Sequence, residues 1–159
     1  MKKLLSFVKN QRGLTLVELL AVVVILGIIA AIAVPSIGGI INNSKKDAHI
    51  ANAEQMVNAV RMAQVSDLKD STKTDYTLDE LITEGYIENI SSPGNDNEYG
   101  LNNSIVTVDR TTPSNLKYTI TLIAQGGHRY IDGETIEALR GNEDGSGGNR
   151  ERDLVDLGG

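Results

Sequence analysis

Among 159 residues there is no cysteine, no tryptophan and a single phenylalanine. Without thiols, a disulfide framework and a thiolate metal site are both excluded. Small exported domains often lean on disulfides, so an exported chain of this composition needs another source of stability. Packing against neighbours in an assembly would supply one. The scarcity of large aromatics argues against a broad aromatic binding platform. Charge is missing in two places. The first thirteen residues hold Lys2, Lys3, Lys9 and Arg12 but no acid, and the 26 positions from Leu19 to Ser44 hold no charge of either sign.

What charge there is divides the chain. The formal net charge is -6, from 15 cations and 21 acids; four of the cations sit in the basic head, which leaves the acids well in excess over the rest. An acidic body repels phosphate, so nucleic acid is not an expected partner. One modest domain is the expectation at this length.

Four regions follow: 1–13, short and basic; 14–41, almost wholly apolar; 42–140, an amphipathic helix followed by a turn-rich body with strand signals; and 141–159, a glycine-rich, charged and mobile tail. The uncharged run would measure about 39 Å as a helix at 1.5 Å per residue, against about 30 Å for a bilayer core. It exceeds the roughly 7–15 apolar residues of an ordinary signal peptide. Positive charge ahead of it predicts a cytoplasmic N-terminus and an outward body. Pro35 cannot donate to the carbonyl four residues back, so it weakens or kinks a helix there. Gly27, Gly38 and Gly39 loosen the neighbouring turns. A flexible membrane helix and a built-in point of extension fit this spacing equally.

Beyond the run, Ile50, Ala53, Val57, Val60 and Gln64 recur at helical spacing beside Met56 and Ala63, while Lys45, Lys46, Glu54 and Arg61 can stay wet. Residues 77–87 read as a short helix with a Thr77/Glu80 capping box and Gly85 as its stop. Residues 105–108 are strand-like. Leu116, Tyr118, Ile120 and Leu122 alternate with polar residues, a period of two. Gln125-Gly126-Gly127 is a turn, His128 to Ile131 a returning strand, and Asp132-Gly133 a second turn. Residues 134–140 are ambiguous. The expected fold class is α+β, a long N-terminal helix packed on a small antiparallel sheet.

The stretch Arg12-Gly13-Leu14-Thr15-Leu16-Val17-Glu18 carries the most information. A carboxylate at a bilayer centre costs about 2.5–3.5 kcal/mol on insertion scales, so a lone acid at the mouth of an apolar helix asks for a reason. This stretch resembles the class III signal of type IV prepilins and pseudopilins: a basic leader ending in Gly, a hydrophobic first mature residue, and Glu five positions after the cut. The resemblance is specific over about residues 1–35. It implies cleavage between Gly13 and Leu14, N-methylation of Leu14 (the family most often has Phe there), an assembly role for Glu18, and helix flexibility at Gly27 and Pro35. The implied partners are a prepilin peptidase, an assembly ATPase with its platform protein, the membrane, further copies of the chain and other pilins. The residues from Leu78 to Ile87 also look like a loop of the same family, though a capped helix at a core edge explains them as well.

The charge chemistry is consistent with this. Cleavage after Gly13 creates an ammonium on Leu14 that neither lipid nor a fibre core tolerates alone. The carboxylate of one subunit can neutralise the ammonium of its neighbour. Such pairing adds little net stability, but breaking a buried pair costs about 3–5 kcal/mol, so the pair would set the stagger while apolar contact supplies the attraction.

Other constellations are set aside. His49 reads as a solvated residue on the polar side of its helix, with Asp47 not facing it, and His128 follows a turn. No nucleophile motif surrounds the serines. The oxygen-rich stretches 95–98 and 142–145 lack EF-hand spacing, and read as solvated turns, although some pseudopilins bind calcium in such loops. No cofactor and no catalytic residue is expected. The leading function is a type IV pilus subunit, a single-pass membrane precursor that ends in a fibre at the cell surface. The alternative within the family is a secretion or competence pseudopilin. Outside it stand an exported soluble protein cut after Ala33, at Ala31-Ile32-Ala33, and a simple uncleaved anchor.

Overall fold

The computed structural model describes residues 2–66, 72–93, 98–112, 114–141 and 150–158, with side chains of the first helix from Thr15 onward and of the last from Arg152 onward. Its contacts divide the chain into two units, Met1–Ile41 and Asn42–Gly159. Helix α1 spans Lys2–Ser66 with Pro35 inside it, and no break is assigned at the proline.

The second unit contains the core. Its part of α1 turns Ala53, Met56, Val57, Ala59, Val60 and Ala63 inward, each at most 2% exposed. These residues follow the helical spacing of three and four that makes one face apolar. The sheet is an antiparallel meander in the order β1-β2-β3-β4, formed by Asp75–Thr77, Ile105–Asp109, Lys117–Ile123 and Arg129–Thr135. Val106, Val108, Tyr118, Ile120 and Leu122 point into the core, and Thr107, Thr119 and Thr121 lie between them on the wetter face. That alternation is what one covered face demands of an antiparallel sheet. The helical and sheet faces join in one hydrophobic cluster with Leu78 and Leu81 of α2 (Leu78–Thr83) and Ile136 and Leu139 of α3 (Ile136–Leu139).

The α+β arrangement and the capping box follow the sequence reading. In α2, the Thr77 hydroxyl accepts from Glu80 N (3.2 Å) and Glu80 Oε2 accepts from Thr77 N (3.1 Å). Three features differ. Strand β1, only three residues long among polar neighbours, carries no alternation to betray it. Asp132-Gly133 does not end its strand: β4 continues to Thr135, with a register irregularity opposite Ile120/Thr121, Gly133 at φ +70 and its N–H donating to Thr121 Oγ1 (3.2 Å). The glycine's left-handed backbone serves a bulge inside the sheet, not a turn out of it. The ambiguous residues divide between the end of β4 and α3, whose first turn is capped by Thr135 Oγ1 accepting from Ala138 N (3.2 Å).

The last described stretch also departs from the expected mobile tail. After α4 (Arg150–Asp153), Val155 is 1% exposed in the core cluster, with Leu154 and Leu157 packed against it. Three apolar residues within a glycine-rich, charged stretch are enough to seat it, and composition averaged over the tail hides them. Of the two oxygen-rich stretches, residues 95–97 and all of 142–145 lie outside the described residues.

Candidate functional site

The first unit belongs to helix α1, and its described side chains are little covered. From Thr15 to Ile41 almost every residue is exposed. Its large aliphatics show between 50% (Ile41) and 69% (Leu16 and Ile32) of their surface. A helix that is apolar all round and uncovered belongs in lipid or against other apolar helices, and this one is long and apolar enough to cross a membrane. Placing roughly 20 such residues in water would oppose solubility at about 25 cal/mol per Å² of apolar surface.

Glu18 is exposed near the start of this surface. It lies four residues, or about one helical turn, after Leu14. The backbone of Gly13 and Leu14 is helical. Gly27, Gly38 and Gly39 have nothing within 4 Å of where a Cβ would stand, so no close approach within the chain requires glycine there. Pro35 sits in the helix interior. The structure thus keeps Glu18, Gly27 and Pro35 on one uncovered element.

Residues 8–34 match the family model described as the prokaryotic N-terminal methylation motif. This is the class III signal of type IV pilins and pseudopilins. The matched segment takes in Gly13, Leu14, Glu18 and Gly27 and ends one residue before Pro35. No curated protein and no solved structure matches the chain. The class III signal implies processing by a prepilin peptidase and assembly with other pilins, and together with the apolar helix it fits a membrane-anchored precursor.

In the second unit, the structure corrects the reading of His49. It is fully buried, not solvated. Its ring stacks on Tyr130 with centroids 4.0 Å apart, and its Nδ1 lies 2.8 Å from Tyr99 Oη. Burial holds its pKa down to about 4, helped by the charges of His128 and Lys45. Burial also pushes the Tyr99 phenol up to about 12. One more helical step back along the apolar stripe, from Ala53 to residue 49, would have placed this histidine inside.

Asp47 also has a partner that sequence spacing could not reveal. Arg152 grips it with two bonds, Nε to Oδ1 (2.6 Å) and Nη2 to Oδ2 (2.7 Å). The arginine's hydrogen bond, ahead of its charge, lowers the Asp47 pKa. Lys46 Nζ donates to the Arg152 carbonyl (2.8 Å). Two more of the helix charges expected to stay wet are employed: Glu54 pairs with Arg140 (2.7 Å) and Arg61 lies over the Tyr118 ring (4.7 Å).

Proposed function

We propose that the chain is a structural subunit of a type IV pilus, not an enzyme. It is cleaved between Gly13 and Leu14, methylated on Leu14, and polymerised with copies of itself and other pilins through residues 14–41. An assembly ATPase and its platform protein drive it from the membrane to the cell surface. The observation that carries this reading is the uncovered, uncharged helix surface that begins directly after one exposed acid. That surface needs company, and a single charge on it needs a counter-charge. The N-terminus created by processing would supply the charge, and neighbouring subunits the cover. The moderately large body favours a pilus over a secretion or competence fibre.

The test is Glu18→Ala in the cell that makes the fibre. Membrane insertion and leader removal should persist, with Leu14 at the mature N-terminus by mass spectrometry. Incorporation into sheared fibres should fall at least tenfold, because the neighbour's ammonium would be stranded at a cost of about 3–5 kcal/mol. Normal fibre yield from the variant defeats the assembly role of Glu18. A mature chain starting at Val34 defeats the pilus reading altogether.

A further inference from the structure

The segment carrying Arg152 to Gly158 is a strap across the end of the body where α1 enters it. On the helix side it is held by Asp47 and Lys46 through Arg152. On the sheet side Asp156 N donates to the Tyr130 carbonyl (2.9 Å). Its own carbonyl accepts from His128 Nε2 (3.1 Å), and Gly158 lies against the His128 ring, 3.4 Å from where its Cβ would stand. His49 follows Lys46 by three residues, about one helical turn, and stacks on Tyr130.

The hydrogen bonds around His49 reach one of its two ring nitrogens, among the described residues. Tyr99 Oη accepts from Asn52 Nδ2 (3.0 Å) and bonds to the Ser92 hydroxyl. Whether the Tyr99 O–H donates to His49 Nδ1 or Nδ1–H donates to Tyr99 Oη, this bond engages one ring nitrogen and leaves Nε2 outside it. That Nε2 is buried without a hydrogen-bond partner among the described residues. A cationic ring must donate from both nitrogens, so its Nε2–H would stay buried and unmet among the described residues. A buried charge with an unmet donor is expensive. The charged neighbours do not relieve it. The helix brings Lys45 and Lys46, the sheet brings His128, and the strap brings Arg152, already committed to Asp47. Of the strap's aspartates, Asp153 is exposed and Asp156 accepts from Gly158 N with its carboxylate (2.9 Å).

We infer that residues 150–158 form an acid-released latch that closes only over a neutral His49. Strap release would break the bond from Asp156 N to the Tyr130 carbonyl and loosen the residue whose ring stacks on His49, which would open a route for water to that ring. The sign follows from linkage. The closed form holds His49 at about 4, below the ordinary 6.5, so it binds fewer protons than the open form between those values. Opening is then favoured about tenfold per pH unit as pH falls from about 6.5 toward 4, and above that window it is independent of pH. Asp47, whose pKa is also lowered, adds to the release when its carboxylate is neutralised at still lower pH.

The experiment is hydrogen–deuterium exchange by mass spectrometry on the full chain in detergent micelles, at pH 7.5, 6, 5 and 4.5, corrected for intrinsic exchange. Protection of peptide 150–158 should fall about tenfold per unit below 6.5 while strand 117–123 stays protected. His49→Phe, which keeps the stack and removes the titration, should abolish that dependence. The latch is overturned if the strap's protection is flat with pH, if His49→Phe leaves the slope unchanged, or if strap and strand lose protection together. Should His49→Phe not fold, an NMR titration of His49 in the native chain decides instead. Its midpoint must coincide with strap opening, and a midpoint at the ordinary histidine value overturns the latch.

Discussion

Thr77 closes β1 and opens α2, and its side chain does what neither neighbour can. Its hydroxyl satisfies the third amide of the helix while Glu80 returns the bond to Thr77 N, with Lys73 paired to the same carboxylate at 3.2 Å. Thr77→Ala should therefore cost about 1 kcal/mol, read as a fall of a few degrees in the melting temperature of the detergent-solubilised chain. This site was legible because a capping box is local: four consecutive residues contain the whole motif. Glu18 was legible for the same reason, as an acid conspicuous in an apolar run. His49 was not. Its burial depends on Tyr99 and Tyr130, 50 and 81 positions further along, and no local rule connects them. The Asp47–Arg152 pair, 105 residues apart, was invisible on the same grounds.

At the level of elements, legibility followed periodicity. β3 alternates over seven residues and was readable directly, and the body half of α1 shows the apolar spacing of a core helix. β1 is too short to alternate. β4 carries Asp132-Gly133, which as a dipeptide signals a turn and in the sheet serves a bulge. The two faces of β3 should respond differently to substitution. Leu122, fully buried, should lose about 2–5 kcal/mol on change to Ala. Thr119 on the wetter face should change by no more than about 0.5 kcal/mol. Denaturant midpoints of the two variants, with the slope unchanged, check this. Equal losses would mean that the outer face of the sheet is covered by something beyond this chain's own core.

The whole molecule separates two kinds of surface. The unit Asn42–Gly159 has its own core, drawn from helix, sheet and strap, while the large apolar residues described in the first unit, from Leu16 on, are exposed. A chain starting at Asn42 should accordingly stay soluble and monomeric without detergent, measured by light scattering, whereas the chain from Leu14 should require detergent. Aggregation of the shorter chain would show that its core is incomplete alone. The sequence revealed this division through the abrupt return of charge at Lys45, but it did not reveal that the end of the chain folds back onto the body.

The bare aliphatic rod has a thermodynamic consequence. Lipid tails are as apolar as leucine, so no hydrophobic force draws such helices together while they remain dissolved in a bilayer. For residues 15–41, acyl chains and sister helices are nearly equivalent solvents, and transfer between them lies close to neutral. Growth and shrinkage of a polymer built this way would thus be governed less by the stickiness of its subunits than by whatever motor performs the work of lifting each one out of the membrane or letting it sink back.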